Sequence, residues 1–305
     1  MGVILTVTPN PALDVTYWVD DLVKHDSTRV RSVATRAGGK GVNVARVLHA
    51  AGHEVLACGF VGGAAGERIR EELRSVGVPE AMTPIAGETR RTVAVVDSDA
   101  TLLLEPGPSV SEAEWQALVE EYRQRLDDAD VAVLSGSLPP GAPDDGYAEL
   151  CRLAGAADVP VILDTSGESL RLGLRGRPAI VKPNNAELAS VAPGDTEAAA
   201  AEVRARGAGN VVVSLGEQGL LAVTTEGTWR ARAEPVEGNP TGAGDAVVAA
   251  LAAGVAIGQP WPERLAEAVA LGGAAVAAPL AGDVDKDTYH RLRTEVQVRK
   301  EDSCR

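Results

Sequence analysis

The feature that most constrains the fold is the alternation of short apolar runs with amphipathic stretches. The apolar runs, predicted to be strands, lie at 3–8, 55–61, 131–135, 159–164, 179–182 and 210–215. Amphipathic stretches of helical period lie between them, at 42–51, 68–76, 112–127, 146–156 and 196–206. The runs are almost continuously apolar, as strands covered on both faces are. The alternation therefore predicts an α/β fold, in which a doubly wound, mostly parallel sheet has helices on both faces.

Two stretches depart from this alternation, at 14–36 and 88–104. Both alternate apolar with polar residues, and a turn at 97–100 divides the second into the halves of a β-hairpin. Strands of this kind keep one face in solvent, so we expect a small antiparallel β-sheet that stands off the main sheet as a lid. No long linker or repeat divides the chain, which predicts one domain over 1–305. The charged residues from 297 onward predict a frayed end.

Charge and cysteine content limit the classes of partner. The formal net charge of −14 argues against nucleic acid and against an anionic membrane surface. No apolar run reaches the ~18 residues that a membrane helix requires. Cys58, Cys151 and Cys304 are odd in number and contain no CxxC pair, which fits a reducing compartment. We therefore expect a cytoplasmic protein with small-molecule ligands and neither nucleic-acid nor membrane partners.

The segment Asn-Pro-Thr-Gly-Ala-Gly-Asp at 239–245 runs directly into an apolar helical stretch. Gly242, Ala243 and Gly244 would then lie at a helix start, where unpaired N–H groups and the helix dipole favour an anion. Asp245 adds a carboxylate that can accept a proton. Anion stabilisation beside a base is what phosphoryl transfer to a hydroxyl needs. The alternative is a glycine-rich loop with a first-turn acid that the dipole favours.

A second glycine cluster, Ala-Gly-Gly-Lys-Gly-Val-Asn at 37–43, also enters a predicted helix. It is not a Walker A loop, because Gly41 follows Lys40 where Ser or Thr is required. Lys40 and the backbone could hold an anion, and Asn43 could bind sugar hydroxyls. The alternative is a glycine turn with a solvated lysine.

Polar segments follow several predicted strands, and in such sheets ligands bind at the carboxyl ends of the strands. These segments lie at 10–14, 135–141, 182–187 and 214–219. In the third, Glu187 lies one turn after Asn184, and hard oxygen ligands there would suit water-bridged Mg²⁺. Arg29 and Arg90 fall in the predicted lid, and arginine binds phosphate in a bidentate manner. Read singly, each segment is equally compatible with an ordinary turn or a solvated strand face.

Together these motifs resemble the PfkB (ribokinase-like) carbohydrate kinase family, from the first strand to about residue 282. The segment 37–43 is similar to the family's N-terminal signature, and 239–245 to its C-terminal one. The runs at 6–14, 87–90, 135–141 and 182–187 are similar to the phosphohexose branch, which includes 1-phosphofructokinase and tagatose-6-phosphate kinase. The chain departs at Pro240-Thr241 and at Gly-Asp-Val-Asp 282–285, where some tagatose-6-phosphate kinases have a histidine. The second departure leaves the choice of substrate open.

The resemblance implies an ATP- and Mg²⁺-dependent transfer to a hydroxyl of fructose 1-phosphate or tagatose 6-phosphate. It makes Asp245 the general base and the backbone of Gly242, Ala243 and Gly244 the anion hole. It assigns the sugar to Asp14, Gly39 and Asn43, and the sugar's phosphate to Lys40, Arg90, Arg29 and Ser137. It assigns ATP to Lys182, Asn184, Ser214, Gly216 and Gly219, and Mg²⁺ to Glu187. Whether K⁺ assists, and whether two lids pair into a homodimer, is left open.

Three alternatives remain. A neutral-sugar or nucleoside kinase of the same fold would not need the lid arginines, because its substrate carries no phosphate for them to bind. A dinucleotide-dependent reductase would need G-x-G-x-x-G directly after the first strand, where Asn10-Pro11 lies instead. A non-catalytic sugar-phosphate sensor would have no use for Asp245.

Overall fold

The structure is a computed structural model that describes residues 2–301. Within that range ten strands form the main sheet. In spatial order they are β14 (Gln297–Lys300), β13 (Gly227–Arg232), β12 (Leu220–Thr224), β11 (Asn210–Ser214), β10 (Ile180–Val181), β9 (Val161–Asp164), β8 (Ala129–Ser135), β1 (Val3–Thr8), β4 (Val55–Val61) and β5 (Glu80–Pro84). Seven neighbouring strands run parallel to one another: β11, β10, β9, β8, β1, β4 and β5. Strands β12, β13 and β14 extend the sheet in antiparallel fashion.

Helices cover both faces of this sheet. They are α1 (Lys40–Ala50), α2 (Gly63–Ser75), α3 (Glu112–Leu126), α4 (Gly146–Ala156), α5 (Gly167–Gly173), α6 (Asn185–Val191), α7 (Thr196–Ala205), α8 (Ala243–Ala256), α9 (Trp261–Ala277) and α10 (Lys286–Glu295). Neighbouring residues of β1 belong to different cores, because side chains alternate along a strand. Ile4 packs in the cluster that holds Val248 of α8, whereas Leu5 packs in the cluster that holds Trp115 of α3. The predicted doubly wound, mostly parallel sheet is confirmed.

A separate four-stranded sheet forms the lid. Its strands are β2 (Ala12–Val19), β3 (Val30–Gly38), β6 (Arg91–Val96) and β7 (Ala100–Leu104), in the order β3-β2-β6-β7. The hairpins β2/β3 and β6/β7 are antiparallel, and β2 pairs with β6 in parallel to join them. Leu102, Leu103 and Leu104 are all more than half exposed. The lid therefore presents an apolar edge to solvent.

The prediction of a frayed end is wrong for the first residues after 296. Gln297–Lys300 forms β14, which pairs antiparallel with β13. Val298 packs against the main core, and the other residues of the strand project charged or polar side chains outward. An edge strand of this kind is held mainly by its backbone pairing, so its sequence has the polar character of a solvent-exposed tail.

Two further features concern thiols and membranes. Cys58 and Cys151 are buried free thiols, and burial raises the pKa of each to about 12; Cys304 lies outside the described residues. Among residues 2–301, no helix combines the length and the apolar character needed to cross a bilayer.

Candidate functional site

The first turns of α1 and α8 meet at a buried carboxylate. Asp245 is 7% exposed, and its Oδ2 accepts a hydrogen bond of 2.8 Å from Nδ2 of Asn43. Burial, and then the negative charge of Asp164, raise the pKa of Asp245 to about 7. The hydrogen bond from Asn43 and the charges of Lys40 and Lys182 act in the opposite direction but do not cancel the effect. The group is thus poised between its two protonation states near neutral pH.

Asp164, at the carboxyl end of β9, lies between two lysines. Its Oδ1 is 3.0 Å from Nζ of Lys40 and 3.5 Å from Nζ of Lys182. Its Oδ2 is buried and has no hydrogen-bond partner among the described residues. Lys40 also lies 3.7 Å from Oε1 of Glu187. Burial alone would lower the pKa of Lys40, but Asp164 and Glu187 raise it, so this lysine stays charged.

Asp164 was not predicted as a site residue. The one signal for it in the sequence is its place at the end of an apolar run. Lys40 was predicted on the side of the sugar's phosphate, and it lies instead with Lys182 and Glu187, which were predicted on the nucleotide side.

The predicted anion hole lies at the start of α8. Gly242 has φ +88°, a left-handed conformation that favours glycine, and a Cβ on it would come within 2.9 Å of Cα of Ala281. The N–H of Ala243 donates to the carbonyl of Pro240 at 3.2 Å, so it is already engaged. The N–H groups of Gly242 and Gly244 have no protein acceptor among the described residues. These two amides are therefore the ones that can face an anion.

A positive charge lies directly beside these amides. Nζ of Lys182 would be 3.4 Å from a Cβ placed on Gly244. Lys182 is only 3% exposed, so its charge is poorly screened by water. The helix dipole and this lysine act together on whatever occupies the space in front of α8.

Asp14 lies on β2, where the lid joins the main sheet. Its carboxylate lies directly against Gly38, so that no side chain larger than hydrogen fits there. Burial raises the pKa of Asp14 to about 6, although a hydrogen bond involving Thr92 and the charges of Arg90 and Arg36 lower it in part. The residue thus carries a charge at neutral pH in a largely buried setting.

Arg90 and Ser137 line a cavity of about 570 Å³, a size typical of ligand sites. Arg90 donates from Nε to the carbonyl of Asn10 at 3.1 Å and from Nη1 to that of Glu105 at 3.2 Å. Nδ2 of Asn10 in turn donates to Oγ of Ser137 at 3.1 Å. Asn10 therefore joins the two predicted phosphate-binding residues, a role that its place in the 10–14 segment did not reveal.

The structure does not bring Arg29 to this site. In the β2/β3 hairpin, Asp14 pairs with Arg36 near the site, whereas Val19 pairs with Val30 at the far end. At about 3.3 Å per residue, Val30 lies about 16 Å from Asp14 along the strands, and Arg29 comes one residue beyond Val30. Its side chain is exposed. Gly39, by contrast, is at the site: it caps α1 with φ +106°.

The predicted nucleotide-side residues cluster at the ends of β10 and β11. Asn184 forms a parallel bridge with Ser214, and Gly216 and Gly219 lie in the turn that follows. Asn184 and Glu187 form a reciprocal capping box for α6, in which Oε2 of Glu187 accepts from the backbone N–H of Asn184 at 2.8 Å. Residues 2–301 contain no group of three or more His, Cys, Asp or Glu side chains that could hold a metal alone.

Comparison with known proteins identifies the scaffold. Residues 11–288 match the family model described as pfkB family carbohydrate kinase. Phosphofructokinase-2 from Escherichia coli in complex with potassium is 31% identical, with a TM-score of 0.91 over 96% of this chain and 99% of that one. The same enzyme in complex with fructose-6-phosphate has a TM-score of 0.88 at 31% identity over the same 96% and 99%. A Thermotoga maritima protein described as a possible 1-phosphofructokinase is 27% identical, with a TM-score of 0.89 over 98% and 100%.

These matches confirm the resemblance drawn from the two glycine motifs, including its phosphohexose branch. They leave the specific substrate open, because the relatives differ in the phosphosugar that their descriptions imply. The chain is thus a sugar kinase and belongs to the pfkB family of carbohydrate kinases.

Proposed function

We propose that this kinase transfers the γ-phosphoryl group of ATP to a hydroxyl of a phosphorylated ketohexose. Fructose 1-phosphate and tagatose 6-phosphate are the leading acceptors, and the fructose-6-phosphate complex of the Escherichia coli relative adds a third. The observation that carries the proposal is the buried Asp245 carboxylate. Asn43 holds it beside Lys182 and two backbone amides that have no acceptor among the residues described.

In this proposal Asp245 is the general base. It accepts the proton of the attacking hydroxyl, and a pKa of about 7 suits a base that works near neutral pH. Asn43 fixes the orientation of the carboxylate through its hydrogen bond. Because only the ionised form can accept the proton, turnover should fall as the pH drops below 7.

The charge that develops on the transferred phosphoryl group is met by fixed groups. The N–H groups of Gly242 and Gly244 have no protein acceptor within residues 2–301, and Lys182 lies against Gly244. Such preorganised donors act without reorganisation during the reaction. Ala243 then serves through its place in the turn and not through its N–H.

The acceptor would lie between the lid and the main sheet. Asp14, Gly39 and Asn43 would hold the sugar hydroxyls. Arg90 and Ser137 would hold the phosphate already on the sugar, since both line the 570 Å³ cavity. The backbone carbonyls of Asn10 and Glu105 fix the Arg90 guanidinium at the wall of that cavity, so little conformational entropy is lost when it binds.

The residues near the nucleotide side fit ATP with Mg²⁺. Mg²⁺ usually binds through one or two carboxylates and the substrate's phosphates, and not in an all-protein cage. Oδ2 of Asp164, which has no hydrogen-bond partner in the described part of the chain, and the carboxylate of Glu187 supply that donor set. When bound, the ion would neutralise phosphate charge. Lys40 would contact the same phosphates, and the ends of β10 and β11, with Asn184, Ser214, Gly216 and Gly219, would hold the nucleotide.

The lid would close over the acceptor and exclude water, which otherwise competes for the phosphoryl group. The exposed leucines of β7, together with Val33 on β3, are suited to contact with a second lid. We therefore also propose a homodimer through the lid. The proposal also includes a location in the reducing cytoplasm and a single kinase domain over 1–305. It includes K⁺ as an activator, because the Escherichia coli relative is known in complex with potassium.

A substrate panel tests the proposal. ADP release is measured by a coupled assay with fructose 1-phosphate, tagatose 6-phosphate, fructose 6-phosphate and ribose, each with K⁺ and with Na⁺. The expected result is turnover of one phosphosugar with kcat/KM at least about 100-fold above that of ribose, in line with the loss expected when a charged anchor is missing. Preference for ribose would contradict the proposal and favour the neutral-sugar alternative.

A further inference from the structure

One ion pair ties the lid to the loop at 281–285. Arg36, near the end of β3, donates from both terminal nitrogens to the carboxylate of Asp283, with Nη1 2.8 Å from Oδ2. The Arg36 side chain is only 12% exposed, so the pair is shielded from water on one side. Burial would raise the pKa of Asp283, but Arg36 and Arg46 outweigh it and the pKa is lowered.

The Arg36 end of the pair lies beside the proposed sugar-binding carboxylate. Arg36 is the cross-strand partner of Asp14 in the β2/β3 hairpin. Its charge is one of the influences that lower the otherwise raised pKa of Asp14. The position of Arg36 therefore affects how much charge Asp14 carries.

The Asp283 end of the pair lies beside the proposed transfer site. A Cβ on the preceding Gly282 would be 3.2 Å from Oδ1 of Asn43, so this loop lies against the side chain that holds Asp245. Ala281, one residue earlier, lies against Gly242 at the start of α8. The loop thus contacts both helix starts that form the buried carboxylate site.

We propose that Arg36 and Asp283 are a positioning pair that holds the lid's Asp14 and the start of α8 in a fixed relation during transfer. This inference rests on the proposed function. It also gives a role to Asp283, which lies in the segment where the sequence departs from some tagatose-6-phosphate kinases. Among residues 2–301, no hydrogen bond or ion pair joins Arg36 or Asp283 to β10 or β11, so ATP binding should depend on the pair less than phosphosugar binding does.

A double-mutant cycle tests the pair with Arg36→Gln, Asp283→Asn and the double variant. Each single variant should lower kcat/KM for the phosphosugar about tenfold, with the KM for ATP changed less than about twofold. The kcat/KM of the double variant should fall no further than that of the less active single variant, because the interaction between the two side chains can be lost only once.

The pH dependence of phosphosugar binding supplies a readout that a purely structural pair would not move. Arg36→Gln removes a positive charge next to Asp14 and should shift its pKa upward. Asp283→Asn leaves that charge without its counter-ion and should shift the pKa of Asp14 downward. Calorimetric titration of the phosphosugar without ATP, between about pH 5 and 8, measures the two opposite shifts.

The matched control is Arg70→Gln. Arg70 is bonded to Glu80 at 2.8 Å in another partly buried arginine–carboxylate pair, which joins α2 to β5, away from the site. It should lower Tm without changing kcat, either KM or the pH profile. If Arg36→Gln and Asp283→Asn behave as this control does, or if their losses multiply in the double variant, the positioning role is refuted. If the wild type phosphorylates only a neutral sugar, the proposed function fails, and the same cycle run on that sugar still decides the role of the pair.

Discussion

Replacing Asp245 by Asn should make the protein less active and more stable at once. Burial and Asp164 raise the pKa of Asp245 from 3.8 to about 7. Since a shift of one pKa unit corresponds to about 1.36 kcal/mol, this shift means that the folded state disfavours the ionised carboxylate by about 4 kcal/mol. Asparagine has almost the same shape, can still accept the hydrogen bond from Asn43, and carries no charge.

The sign of the stability effect depends on pH. A carboxyl group whose folded-state pKa is raised costs no stability below about pH 4, where it is protonated in both the folded and the unfolded state. The cost grows as the pH rises and is complete above about pH 7. Asp245→Asn escapes this cost. Its free energy of unfolding should equal that of the wild type near pH 4 and exceed it by up to about 4 kcal/mol at pH 8. Urea denaturation at the two pH values, followed by tryptophan fluorescence, measures the difference.

Activity should change in the opposite direction. Without a base, kcat should fall by ~10²–10⁴-fold with little change in either KM, in the coupled assay at pH 8. Near-normal turnover would remove Asp245 from the role of base. A variant less stable than the wild type at pH 8 would refute the argument that burial of the charge sets its pKa.

Three further predictions follow from the site and the lid. Arg90→Ala should raise the KM for the phosphosugar by about 10–100-fold, in the range expected for a charged hydrogen bond, and leave the KM for ATP within twofold; equal effects on both would discard its phosphate role. Lys182→Met should lower kcat and reduce the free energy of unfolding by about 1–3 kcal/mol, because Asp164 keeps only one of its two lysine partners; denaturant unfolding measures this. Leu103→Lys should convert a lid-paired dimer to monomers in sedimentation experiments, whereas Ile257→Lys, an exposed position outside the lid, should not; a monomeric wild type would contradict the dimer.

The main sheet and its helices could be predicted because each parallel strand leaves a local record in the sequence. A strand such as β4, buried on both faces, must be almost entirely apolar, and an amphipathic helix follows it. The antiparallel strands β13 and β14 leave no such record. Both carry polar or charged residues at several positions, and β14, at the edge of the sheet, is a strand only because it pairs with β13, which lies far away in the chain.

The candidate site shows the same limit at the level of side chains. The helix starts at Gly39 and Gly242 could be predicted because glycine is favoured where φ is positive. The partner of Lys40 could not, since Asp164 is 124 residues away and ends an ordinary apolar run. Arg29 shows that composition alone cannot tell which end of a hairpin faces the site, because the register decides it.

The burial of α8 bears on how acceptor preference could change. From Asp245 to Ala252 every residue of this helix is buried, and most of these residues are alanine or valine. An enlarged side chain there would displace the carboxylate with it, so most such changes would abolish turnover before they altered selectivity. The lid strands β3 and β7 have room to vary, since most of their residues are exposed. Exchange of β2, β3, β6 and β7 between relatives is therefore the more practical route to a kinase with a new sugar preference.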